Sequence, residues 1–88
     1  MTDSQILDAF TRILRDLLSD DSIVLTMETR RDEVANWDSL GYVSFIVAVE
    51  MEFHVKFGVA EVESFEDVGA IVRRTKALAP SPAQKPHN

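Results

Sequence analysis

A chain of 88 residues, 45% of them apolar, has room for one domain around a single modest core and not for two. It contains no cysteine, which excludes disulfides and thiolate metal sites and leaves packed side chains to hold the fold. Its net charge of -6 is concentrated in the middle: residues 38–67 carry seven acids against one base, Lys56, whereas residues 68–88 carry four bases and no acid. Such a surface repels phosphate backbones and anionic headgroups, so nucleic-acid binding and membrane attachment are disfavoured and basic protein partners favoured, although acids also keep small domains soluble. No apolar run approaches the roughly 20 residues of a membrane helix, and Met1 to Gln5 lack the basic and apolar regions of a secretory signal. The expectation is a cytoplasmic protein without membrane insertion.

Ile6, Leu7, Phe10, Ile13, Leu14, Leu17 and Leu18 recur at helical spacing with Asp8, Arg12, Arg15 and Asp16 between them, which predicts an amphipathic helix over residues 3–19. Thr2 and Gln5 have the spacing of a capping box at its start. From Asp20 to Asn36 the pattern breaks into a long polar loop, held down at isolated apolar residues such as Ile23, Val24, Leu25, Met27 and Val34. Leu40 to Phe53 is apolar on nearly every side, so periodicity alone does not choose between strand and helix. Its length and the capping ability of Asp38 favour a helix. Phe53, Val55, Phe57 and Val59 then alternate along a short extended connection, followed by a single turn at Ala60 to Glu63. Ser64 with Asp67 reads as a capping-box-like start of a last helix, whose Arg73, Arg74 and Lys76 suit the negative end of its macrodipole.

Most catalytic chemistries lack their residues. His54 and His87 are the only histidines and form no helical ligand pair; Gly41, Gly58 and Gly69 are too widely spaced for a phosphate-cradling loop; and the acids follow no calcium-loop spacing. Ser39 has no evident base beside it in sequence, so an independent enzyme and a metal site are both unexpected. What remains is Trp37-Asp38-Ser39-Leu40, at the junction of the long loop and the apolar helix. Taken alone, Asp38 or Ser39 is a helix N-cap and Leu40 the first core residue.

The surroundings of that tetrapeptide change its reading. Asp38-Ser39-Leu40 matches the attachment motif of the acyl carrier proteins, Glu50-Met51-Glu52-Phe53 stands where their second helix ends in an acidic stretch, and Val68-Gly69 stands near the start of their last helix. Over about residues 3–77 the chain resembles that family. The resemblance implies an all-α, four-helix bundle with a long loop between the first two helices and a short third helix. It implies that a phosphopantetheinyl transferase (holo-carrier synthase) attaches 4'-phosphopantetheine from coenzyme A to Ser39. Acyl groups then ride on the terminal thiol of this arm as thioesters, between enzymes that load and take them, on a carrier with no catalysis of its own. Asp38 and Leu40 complete the motif: Asp38 as cap and transferase contact, Leu40 as anchor of the turn or partner contact. Trp37 is a partner contact or a lid on the core. Partner docking is expected along the central helix at Val43, Val47, Glu50, Met51 and Glu52, on a monomer.

The chain departs from the family pattern in ways that bear on docking. Asn36-Trp37 stands where a glycine is frequent, Gly41 and Ser44 replace common acids, and Met51 interrupts the later acidic run. These changes point away from a general fatty-acid carrier and toward a specialised polyketide, lipid or glycolipid pathway. The competing readings are a peptidyl or aminoacyl carrier and a helical adaptor without a prosthetic group.

Residues 79–88 contain all three prolines and almost no bulky apolar group, which predicts a disordered tail beyond a carrier domain at residues 1–78. Deleting residues 80–88 should therefore leave the thermal midpoint nearly unchanged. A fall of many degrees would show that the tail packs.

Overall fold

The computed structural model describes residues 1–79. The tail expected beyond them lies, from residue 80 on, outside the described residues. Among the described residues the chain forms helices α1 (Asp3–Leu18), α2 (Ser39–Phe53), α3 (Val59–Ser64) and α4 (Val68–Leu78), with a short 3-10 turn at Arg31–Glu33 in the long first loop. The expected all-α bundle with a short third helix is what the chain builds.

The first helix begins as its sequence dictates. The Thr2 hydroxyl accepts the Gln5 N–H at 3.1 Å and the Gln5 side chain accepts the Thr2 N–H at 2.9 Å, which completes the capping box. Ile6, Phe10, Ile13 and Leu14 point inward, and Ser19 ends the helix in the left-handed conformation at φ 52°. Phe10 meets Phe45 and Phe53 of α2 edge to face, at centroid separations of 5.3 and 5.8 Å. Trp37 packs on Phe45 from the loop side at 5.2 Å, so one aromatic cluster joins α1, α2 and the end of the loop.

The loop is anchored at both flanks. Ile23 and Leu25 are buried, the Arg15 Nε–H donates to the Ile23 carbonyl at 2.7 Å, and Val24 between them faces solvent. Further along, the N–H groups of Val68 and Gly69 donate to the carbonyls of Thr29 and Met27 at 2.8 and 2.7 Å. These bonds satisfy the first donors of α4, and the Asp67 carboxylate takes the next one from Ala70 at 2.8 Å. The cap of α4 is thus Asp67 alone. Ser64, read from sequence as part of that start, instead closes α3, where its hydroxyl donates to the Glu61 carbonyl. Val59, read as part of the extended connection, opens α3 and is exposed, whereas Phe53, Val55 and Phe57 are buried.

α3 is short and carries no buried residue of its own, so it depends on α2 and α4 for its position. The Tyr42 hydroxyl donates to the Val62 carbonyl at 2.7 Å, and Arg74 of α4 pairs with Glu61.

Gly69 is the tightest position in this frame. A Cβ there would lie 2.5 Å from the Met27 carbonyl oxygen, the atom its own N–H bonds. Gly69→Ala must push the loop off the start of α4, and the expected loss is about 1–3 kcal/mol, the range for overpacking. Urea or thermal denaturation of the variant measures it.

Candidate functional site

The two long interior helix starts are satisfied differently. At α4 the loop and Asp67 take up the N–H groups of Val68, Gly69 and Ala70. At α2 the Asp38 carboxylate accepts the Gly41 N–H at 2.8 Å and the Asp38 carbonyl accepts the Tyr42 N–H at 2.8 Å. Among the described residues the N–H groups of Ser39 and Leu40 have no protein partner, and neither does the Ser39 hydroxyl. Ser39 is exposed and is the first residue of α2. An exposed hydroxyl beside two free donors at the positive end of a 15-residue helix suits an anionic group joined through oxygen. Asp38 and not Ser39 is the cap, so the hydroxyl is free of structural duty.

The chain reaches this point through Asn36, which adopts φ 69° just before Trp37. This left-handed conformation is the one glycine takes most easily and asparagine next. It explains how Asn36 can stand near the place where the resembled family frequently has glycine. Trp37 is only 5% exposed and its indole N–H is a buried donor without a partner among the described residues. Of the two roles read for Trp37 from sequence, this burial fits the lid. A Cβ on Gly41 would lie 3.2 Å from the Asp38 Oδ1 and 3.4 Å from the Trp37 ring, so a small residue keeps the first turn of α2 close under both.

Ser39 lies on the rim of a cleft of about 900 Å³ between α2, α3 and the long loop. Its lining includes Trp37, Tyr42, Ile46, Phe57, Val62 and Ile71, with Arg30 and Arg31 also in the wall. The Arg31 guanidinium stands 4.8 Å over the Tyr42 ring. Burial raises the Tyr42 phenol above its ordinary value near 10, and the Arg31 charge pulls it part of the way back. The phenol stays protonated at neutral pH and remains a donor to Val62. Sequence reasoning left the cleft, Arg30, Arg31 and Tyr42 out. An adjacent arginine pair shortly before the attachment motif of an acidic chain was the one available signal.

Along α2, Leu40, Val43, Val47 and Met51 fall on one stripe at spacings of three and four residues, and they are 76%, 53%, 47% and 73% exposed. Tyr42, Phe45, Ile46, Val49 and Phe53 occupy the opposite, buried face. The two acids expected alongside the stripe are engaged within the fold. Glu50 accepts the Phe57 N–H at 2.8 Å, and Glu52 pairs with Arg12 of α1 at 2.7 Å. Among the described residues no three His, Asp or Glu side chains come together as a metal site, and no helix is long and apolar enough to cross a membrane.

No family model matches the chain, and no curated protein matches it. Its structure, however, is similar to the solution NMR structure of a holo acyl carrier protein from Geobacter metallireducens. The TM-score is 0.79 at 34% sequence identity, over 93% of this chain and 94% of that one. Likeness of that extent and identity shows the family: the chain belongs to the acyl carrier proteins.

Proposed function

We propose that this protein carries acyl intermediates as thioesters on a 4'-phosphopantetheine arm joined to Ser39 and presents them to partner enzymes. A phosphopantetheinyl transferase installs the arm from coenzyme A, and acyl-loading and acyl-transferring enzymes of a specialised lipid or polyketide pathway in the cytoplasm use it. The carrying observation is the open start of α2: an exposed Ser39 hydroxyl and two backbone donors beside it, none with a partner among the described residues. The holo state of the similar carrier supports the same group here. When bound, the arm supplies the thiol on which cargo rides. The chain's own residues hold the attachment point: Asp38 fixes the first turn, and the free N–H groups of Ser39 and Leu40 face the charge created at the serine oxygen.

Incubation with coenzyme A and a broad-specificity transferase, followed by mass spectrometry, tests this reading. One phosphopantetheine should be added to the parent and none to Ser39→Ala. Because Asp38 provides the cap, Ser39→Ala should change stability by no more than about 0.5 kcal/mol and leave the helical circular dichroism intact. A modified Ser39→Ala protein would overturn the assignment.

Docking on the pathway enzymes is assigned to the α2 stripe of Val43, Val47 and Met51, with Glu50 and Glu52 at its flanks. The complementary surface is an apolar patch rimmed by bases, because residues 38–67 carry seven acids and only Lys56 in opposition. Covering an exposed methionine or valine contributes roughly 1.5–3 kcal/mol, whereas an exposed ion pair contributes about 0–1 kcal/mol. Met51→Ala and Val47→Ala should therefore weaken binding to the cognate enzyme more than Glu52→Gln, at unchanged thermal midpoints. Calorimetric titration with that enzyme at low and moderate salt provides the comparison, and dominance of Glu52 or collapse with salt would make docking electrostatic.

A further inference from the structure

The described bases divide cleanly by partner. Arg12, Arg73, Arg74 and Lys76 pair with carboxylates, and Arg15 is held by the Ile23 carbonyl. Arg30, Arg31 and Lys56 have no carboxylate partner among the described residues, and all three line the cleft that has Ser39 on its rim. In a chain of net charge -6, acids to pair with are plentiful. Asp32, Glu50, Glu63, Glu66 and Asp67 also line that cleft, yet none of them pairs with the three cations among the described residues, so the cations stay available to negative charge from outside the polypeptide.

The three are not equivalent. Lys56 follows the C-terminal end of α2, a helix of 15 residues and so about 22 Å long, whereas Ser39 begins it. The Arg30 side chain makes no hydrogen bond or ion pair among the described residues. Arg31 does: its guanidinium rests 4.8 Å from the Tyr42 centroid, and Tyr42 lies one helical turn beyond Ser39. The ring beneath is itself fixed, buried and tied to Val62 by its hydroxyl. A cation–π seat orients a guanidinium without neutralising it, and leaves its N–H edge available to a planar or tetrahedral anion.

We infer that Arg31 is the counter-cation of the phosphodiester on Ser39 and holds the first part of the arm over the cleft between α2 and α3. This rests on the carrier reading above. Modification places a negative charge next to the Asp38 carboxylate, which is already committed to the Gly41 N–H. Backbone donors of Ser39 and Leu40 meet that charge from the helix side. Arg31, seated on Tyr42 at the loop side of the same cleft, would supply a full positive charge able to form charge-assisted bonds with phosphate oxygens. The loop thereby contributes a residue to the holo state that the apo state leaves unpaired.

Thermal midpoints of apo and holo protein, each as parent, Arg31→Gln and Arg30→Gln, form the test. At low salt, attachment of the arm with its thiol free should raise the midpoint of the parent and of Arg30→Gln by a few degrees more than that of Arg31→Gln, the size expected for one surface charge pair. That difference should shrink in about 1 M salt. The phosphorus NMR resonance of the holo protein should move in Arg31→Gln, and the fluorescence of Trp37, the one tryptophan, should respond to arm attachment in the parent more than in that variant. Equal increments in all three proteins with an unmoved phosphorus resonance would overturn the inference. So would coupling that appears only after loading of a dicarboxylic acyl group, which would assign Arg31 to the cargo, or an Arg31→Gln protein that resists modification by excess transferase, which would assign it to that enzyme. A parent that takes no arm at all fails the carrier reading instead, and mass spectrometry separates that result from the others.

Discussion

Two backbone hydrogen bonds, from Val68 to Thr29 and from Gly69 to Met27, govern the arrangement of everything around Ser39. Beyond its buried Ile23, Leu25 and Trp37, the loop is polar, and its backbone groups need partners wherever water is excluded. Here the loop finds them at the start of α4, whose first N–H groups would otherwise lack acceptors. The exchange works only because Gly69 carries no side chain at the point of closest approach. With residues 27–29 fixed there, only Arg30 separates them from the 3-10 turn at Arg31–Glu33, after which come Asn36 and Trp37. The position of Arg31 over Tyr42 and of Trp37 against Phe45 therefore follows from a contact made at the far end of the sequence.

This dependence separates what the sequence discloses from what it hides. The period of Ile6, Phe10, Ile13 and Leu14 is local, and so are the caps at Thr2 and Asp38, hence α1 and the start of α2 are legible residue by residue. α2 is apolar almost all round, so its periodicity carries no orientation. Only contact with α1 decides that Phe45 and Val49 turn inward while Val47 and Met51 stay out. Ser64 and Asp67 are both competent caps, and the choice between them is made by the loop carbonyls that reach Val68 and Gly69, a contact no local pattern records. Asn36 shows the reverse. A departure in residue type preserves the required conformation, because φ 69° is accessible to asparagine as well as glycine. The cleft is wholly tertiary, since its walls come from the loop, α2, α3 and α4.

The exposed stripe of α2 is a constraint the fold bears. A helix apolar on all faces is ordinarily enclosed, yet Leu40 and Met51 are 76% and 73% exposed in a domain with little surface to spare. Val59 of α3, 79% exposed, adds to it. Contiguous apolar surface promotes self-association unless something opposes it. The acids concentrated over residues 38–67 supply that opposition, since like-charged molecules repel before their apolar faces can meet. Acidity and apolar exposure fall on the same third of the chain, so the charge opposes the self-association that the apolar face would otherwise promote.

The two ends of α2 complete the argument for where chemistry can occur. At the C-terminal end His54 takes the left-handed conformation at φ 57°, its N–H and that of Val55 return to the Glu50 carbonyl, and the Glu50 carboxylate accepts the Phe57 N–H. One residue closes that end through both its backbone and its side chain. At the N-terminal end the single cap, Asp38, serves Gly41 and leaves the donors of Ser39 and Leu40 open to solvent. Water satisfies exposed donors, so the open end costs the apo protein little. The anion proposed at Ser39 would replace that water with a permanent partner and draw on the helix dipole at the same time. Among the described residues the helix therefore has one end closed by the protein's own groups and the other open to solvent.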